Sequence, residues 1–138
     1  MKFVRISKME YDKIRILYES VMSQACHGLF FREGQTYGEI VANIARTDSG
    51  EYFATAGKLI KGRGWVESIE FDGNTVITKG SIETADAEDP TCHRIRGMLK
   101  AVYEMNSDKK VACFEDECES QGAEHCKFRV AEIKGKSQ

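Results

Sequence analysis

The chain has 138 residues and a net charge of −2, from 20 Lys and Arg against 22 Asp and Glu. Charged residues make up 30% and hydrophobic ones 41%, with one proline, which is the composition of a folded mixed α/β chain, most simply one domain over residues 1–138. This balance gives no electrostatic case for nucleic acid or an anionic membrane, and no apolar run approaches the roughly 20 residues of a membrane helix.

Met1–Ser7 reads as either a short strand or an unanchored start. Met9 to about Leu29 places Ile14, Leu17, Tyr18, Val21, Met22 and Ala25 at helical spacing. Gly28 and Gly34 punctuate the next stretch, and a second helix or a continuation covers Gln35–Arg46. Thr47–Gly50 is a loop in which Asp48 or Ser49 can cap the next helix, Glu51 to about Lys61, which Gly62 and Gly64 stop. The hydrophobic period then changes from 3.6 to 2. Trp65–Phe71 and Thr75–Ser81, with a possible extension to Thr84, flank Asp72-Gly73-Asn74 as a hairpin. After an acidic loop, Asp89 and Pro90 are suited to the N-cap and first position of a helix that buries Cys92, Ile95, Leu99, Val102 and Met105 or Asn106. Strands come next at Lys109–Glu115 and Cys126–Ile133, and Lys134–Gln138 is a polar tail. The order predicts an α+β fold, with N-terminal helices packed on one face of an antiparallel sheet of about four strands.

The stretch from Asp89 to Val130 holds four of the five cysteines, two of the three histidines and the proline. The hairpin brings together Glu115, Cys118 and Cys126, and Cys92 joins them from the start of the helix, where the dipole and free amides favour a thiolate. Three thiolates and a carboxylate form a donor set for a divalent ion, with Lys127, Arg94, His93 or His125 available to offset the charge. Two other readings stay open on spacing alone. The cysteines can be small buried hydrophobes beside a surface Glu115, or Cys118 and Cys126 can form a redox disulfide. Cys113 shares a strand face with Glu115 and reads as a core cysteine or an alternative ligand.

The segments DPTCHRIRGMLKAVYE and ACFEDECESQGAEHCKFRV resemble the C-terminal signature of the 4-vinyl reductase domain family. In that pattern a helix opens with Cys and carries Arg-Gly, a strand bears Glu-x-x-Cys, and a glycine-containing loop leads to a strand that begins Cys-x-Phe. The matching residues are Cys92, Arg96-Gly97, Glu115–Cys118, Gly122 and Cys126–Phe128. The resemblance covers about a third of the chain. It implies a structural zinc on Cys92, Glu115, Cys118 and Cys126, as in similar domains of phenol-sensing transcription activators. It also implies a fold related to haem–nitric-oxide-binding and vesicle-tethering subunit domains, often dimeric, with an apolar ligand pocket between helices and sheet.

For that pocket the candidates are His27, Phe30, Phe31, Tyr37 and Trp65. His27 reads as an interior or boundary residue, a ligand contact or, least simply, a haem ligand, and Trp65 as core or pocket floor. The glycines at 57, 62 and 64 match no nucleotide fingerprint. The start MKFVRISKMEYDKIRIL lacks the features of a secretory signal, which points to the cytoplasm, where cysteines serve as thiols or metal ligands. The expectation is a zinc-stabilised domain that binds a small hydrophobic or aromatic molecule, acts as a homodimer and does not catalyse a reaction. The alternatives are an accessory in tetrapyrrole vinyl reduction, for which no flavin or nicotinamide motif is present, and a structural assembly module.

Overall fold

The computed structural model describes residues 2–48 and 50–134. Ser49 and the expected tail beyond Lys134 lie outside the described residues, as does Met1. Residues 2–6 form no regular structure, and Ser7 then opens α1 (Lys8–Met22) with a capping box, its side chain bonded to the Glu10 amide and the Glu10 carboxylate to the Ser7 amide.

The helical half is divided differently from the expectation. The break falls at Ser23, which takes a left-handed φ of 53°. α2 (Ala25–Thr47) then runs without interruption through Gly28, Gly34 and Gly38. Two of these glycines are contact points. A Cβ at Gly34 would collide with the Arg94 carbonyl, and one at Gly38 would lie 2.7 Å from the Met98 Cα. The reciprocal residue is Gly97, whose absent Cβ makes room for the Phe31 carbonyl. The backbones of α2 and α4 therefore meet directly, as helices do where only small residues line the crossing.

α3 (Tyr52–Gly62) is capped by Glu51, whose carboxylate accepts from the Phe53 and Ala54 amides at 3.1 and 2.7 Å. Asp48 ends α2 and bonds the Gly50 amide, so it does not cap α3. β1 (Ser68–Asp72) and β2 (Thr75–Lys79) pair through a two-residue turn at Gly73-Asn74, with Gly73 at φ 58°. Both strands are shorter than expected, because Gly80 at φ 67° turns the chain out of β2. α4 (His93–Ser107) starts three residues after Pro90, with Cys92 as its N-cap. β3 (Val111–Glu117) and β4 (Cys126–Glu132) complete an antiparallel sheet in the order β1-β2-β4-β3.

The helices pack against one side of this sheet. Val76, Thr78, Cys113, Cys126, Phe128 and Val130 are buried there, while Phe114 and Arg129 are exposed on the other side, the guanidinium 4.6 Å above the ring. α4 lies against α2 on one flank and β3 and β4 on the other. Ile95, Met98, Leu99 and Val102 are fully buried as a result. Its buried surface is wider than the expected stripe, and Met105 and Asn106 fall outside it. This places the helix start, with Cys92, over the β3–β4 hairpin.

Candidate functional site

Glu115 and Cys118 are three residues apart, so a regular strand would place them on opposite faces. The register slips between Glu115 and Glu117, where Glu115 faces Phe128 and Glu117 faces Lys127. This one-residue bulge lets both side chains reach the inner side. A short 3-10 turn, η1 (Glu119–Gln121), returns the chain to Cys126 at the start of β4. Cys92 reaches the same point from the α4 N-cap. One donor atom from each of Cys92, Glu115, Cys118 and Cys126 lies within 4.8 Å of all the others.

The spacing fits a metal. A tetrahedral site with Zn–S bonds near 2.3 Å separates its sulfurs by about 3.8 Å. The observed Sγ separations are 3.8 Å for Cys92–Cys126 and 3.9 Å for Cys118–Cys126. These are far longer than a disulfide, and all five cysteines are free. Glu115 contributes a second sign. Its Oε1 accepts from the Cys92 amide at 3.1 Å, while its buried Oε2 has no hydrogen-bond partner. An unsatisfied carboxylate oxygen beside three thiols is suited to binding a cation.

The protonation pattern agrees. Hydrogen bonds from Cys126 and Cys92 drive the Cys118 thiol far below its usual range. Hydrogen bonding to Cys118 first, and burial after it, hold Cys92 and Cys126 well above theirs. Burial first, and then the Cys118 charge, raise Glu115 to about 8. A bound cation would favour the deprotonated form of all four donors.

The surrounding partners differ from those expected. Ser81 Oγ lies 3.2 Å from Cys92 Sγ, the Glu119 amide donates to Cys126 Sγ at 3.3 Å, and Thr91 Oγ1 is 3.8 Å from Cys118 Sγ. His125 bonds exposed Glu117 at 2.8 Å. Arg94 points to the opposite side of the helix start, bonded to Glu33 at 2.8 Å and Glu83 at 3.4 Å. Cys113 is a core residue of β3, and burial pushes its thiol up to about 12.

The side of the α4 start that faces α1 and α2 opens into a cavity of about 260 Å³. His27 and Phe30 line it, whereas Phe31, Tyr37 and Trp65 do not. Phe31 carries the Arg96 guanidinium 4.1 Å above its ring. Trp65 packs between Tyr11 and Tyr37, and Tyr37 bonds Glu33 at 2.8 Å. The rest of the wall includes Tyr11, Arg15, Ile82, Pro90, His93 and Arg94. His27 is fixed by Glu19 at 2.7 Å and stacks on His93 at 4.4 Å between ring centres. Both ring nitrogens of His93 and Nε of Arg15 are buried without a hydrogen-bond partner. Burial lowers His93 to about 4, so its imidazole is neutral and offers one donor and one acceptor.

Glu83 and Arg94 form the back of this cavity, a place that reading the sequence gave to neither. The Glu83 carboxylate is buried and accepts from the Arg94 and Ile95 amides at 3.1 and 2.9 Å. The Arg94 guanidinium sits 4.1 Å above Phe30 and 4.9 Å above Tyr11. Burial raises Glu83 to about 7, although the amides and Arg94 pull the other way. The only sequence sign of this arrangement was a charged residue near the start of a helix that was expected to begin earlier.

Helices on an antiparallel sheet, with three cysteines and a glutamate gathered at the α4 start, agree with the 4-vinyl reductase resemblance, whereas the cavity lies between α1, α2 and the α4 start and not between helices and sheet. The V4R domain model matches residues 74–132, which bears out the resemblance over β2, α4, β3 and β4. No curated protein matches the chain. Several solved structures share the fold, among them these three. The phenol-responsive sensory domain of the transcription activator PoxR, with phenol, superposes with a TM-score of 0.79 at 19% identity, over 94% of this chain and 76% of that one. A vinyl-4-reductase family protein from Methanocaldococcus jannaschii gives 0.68 at 20% identity, over 97% and 85%. A trafficking protein particle complex subunit 3 from Naegleria fowleri, covalently bound to palmitic acid, gives 0.62 at 14% identity, over 92% and 93%.

Proposed function

We propose that this chain is a sensory domain that binds a small aromatic molecule, and that a structural zinc held by Cys92, Glu115, Cys118 and Cys126 supports its site. The observation that carries the ligand reading is the unpaired His93 imidazole in the wall of a partly open cavity that Tyr11, His27 and Phe30 help to line among charged residues. A buried polar group without a partner costs about 1–3 kcal/mol, and a ligand hydroxyl would relieve that cost. The volume, about 260 Å³, lies just below the roughly 300–1,000 Å³ typical of drug-sized ligands and suits a single ring. Phe30, Tyr11 and Ile82 would contact the ring, and His93, oriented by its stacking on His27, would contact the hydroxyl. The zinc would crosslink the helix start to the hairpin, with all four positions filled by protein and none left for a substrate. The proposed role is binding without catalysis, in a reducing compartment such as the cytoplasm.

Phenol is the natural first probe. Calorimetric titration should give saturable binding at one site per chain, and His93→Phe should weaken it by roughly 5- to 10-fold while leaving the helical content unchanged. An absence of saturable binding would contradict the ligand reading.

The sensory reading also needs an output surface, and we assign it to α1 in a homodimer. No residue of α1 is buried, and Ile16, Leu17 and Val21 are 57, 55 and 74% exposed. Leu17 and Val21 are one turn apart on the same face. A second copy would cover them, and ligand binding beneath α1 would change how that face is presented. In sedimentation the wild type should run as a dimer and Leu17→Glu/Val21→Glu as a monomer with the same circular dichroism. A monomeric wild type would rule this output surface out.

A further inference from the structure

We propose that Ser120 is a positioning residue that transmits the rigidity of the metal centre to the rim of the ligand cavity. The proposal rests on the metal and ligand readings above. Residues 84–92, between β2 and α4, form neither helix nor strand, yet Ala87, Glu88, Asp89, Pro90 and Thr91 line the cavity. Such a segment has no ladder of its own and must be held by its neighbours.

Most of its anchors converge on η1. Ser120 Oγ accepts from the Ala85 amide at 2.9 Å and shares a hydrogen bond with Thr91 Oγ1 at 2.6 Å. The Ser120 carbonyl takes the Ala87 amide at 3.4 Å, and Gln121 Nε2 donates to the Glu88 carbonyl at 2.8 Å. The segment is thus attached to one 3-10 turn at residues 85, 87, 88 and 91.

That turn is itself built on the metal ligands. It begins directly after Cys118, and the Gln121 and Ala123 amides bond the Cys118 carbonyl at 3.0 and 3.4 Å. The Glu119 amide bonds Cys126 Sγ at 3.3 Å, and the Glu119 carboxylate takes the Gly80 amide at 3.1 Å. Ser120 is neither one of the four clustered donors nor part of the cavity lining, though its hydroxyl also reaches the Cys118 thiol. Its hydroxyl holds both ends of the rim segment, Ala85 and Thr91, to the turn.

The consequence is a coupling between two neighbouring sites, which also approach each other at Thr91, a cavity residue 3.8 Å from Cys118 Sγ. An ordered metal centre holds η1 in place, η1 holds the rim through Ser120, and the rim closes the cavity over its ligand.

Hydrogen exchange on wild type, Ser120→Ala and Ser120→Thr, combined with metal content and phenol titration, tests this directly. In Ser120→Ala, exchange across residues 84–91 should rise roughly 3- to 10-fold and phenol affinity should fall by a similar factor, while metal content stays at the wild-type level. Ser120→Thr, which keeps the hydroxyl, should restore both. Unchanged exchange in Ser120→Ala would overturn the proposal. So would loss of the metal in that variant, since Ser120 would then belong to the metal centre itself. A rim loosened in Ser120→Ala, in a protein whose wild type binds no phenol, supports the joint and counts against the ligand reading alone.

Discussion

Replacing Gly97 or Gly34 with alanine should unfold the protein or cost it more than about 3 kcal/mol, beyond the usual range for overpacking. The reason is that the obstruction is backbone. A Cβ at Gly97 meets the Phe31 carbonyl, and one at Gly34 meets the Arg94 carbonyl, so no rotamer change relieves either clash. The whole of α4 would have to move away from α2. That shift would carry the helix start off the hairpin and separate Cys92 from Cys118 and Cys126. Thermal unfolding should therefore show a large drop in Tm together with weaker metal retention. Alanine at Gly28, where nothing lies within 4 Å of the added carbon, is the matched control and should be neutral or mildly stabilising. Near-wild-type Tm for Gly97→Ala would show that the helices are not locked at this crossing.

The second large effect is expected at Glu83. Its carboxylate satisfies two amides at the α4 N-terminus and faces Arg94, all in the interior. Glu83→Ala would leave those amides open and Arg94 with only Glu33, at an expected cost of about 3–5 kcal/mol in chemical denaturation. Glu83→Gln keeps an acceptor and isolates the titration. Glu83 has a folded-state value of about 7, above the ordinary 4.5, chiefly because burial disfavours its charge. Between these values the unfolded chain has released a proton that the folded chain retains. The Glu83 contribution to stability is therefore complete below about pH 4.5 and is lost as the pH rises through about 7. Subtracting the Glu83→Gln stability profile from that of the wild type should show this decline, and a flat difference between pH 5 and 7 would contradict it.

The cysteine-rich half was more legible than the helical half for physical reasons. Cys92, Glu115, Cys118 and Cys126 could be read as one cluster because a hairpin and a helix start are local structures with strong signals, and they do converge. Glu115 faces inward by simple alternation with Cys113, but the bulge after it, which brings Cys118 round to the same side, had no signature. In the first half, Gly28 and Gly34 were read as interruptions, since glycine disfavours an isolated helix. In the folded chain, Gly34 and Gly38 are instead the places where α4 touches α2, a tertiary cause that no local pattern carries. The α4 start was misplaced for a similar reason. Asp89 and Pro90 carry the local capping signal, but Glu83 and Glu115, distant in sequence, satisfy the amides at Cys92, Arg94 and Ile95. The cavity was the least legible. Of its expected residues His27 and Phe30 line it, while Tyr11, His93 and Arg94 came into view only once α1, α2 and the start of α4 were packed together.

The most direct test of the zinc-supported site is the metal content of the purified protein, measured by elemental analysis on wild type and on Cys118→Ser/Cys126→Ser, without added metal. One zinc per chain is expected in the wild type, with its absence in the variant and loss of cooperative unfolding along with it. A metal-free wild type that still unfolds cooperatively, with its thiols free, would contradict that site.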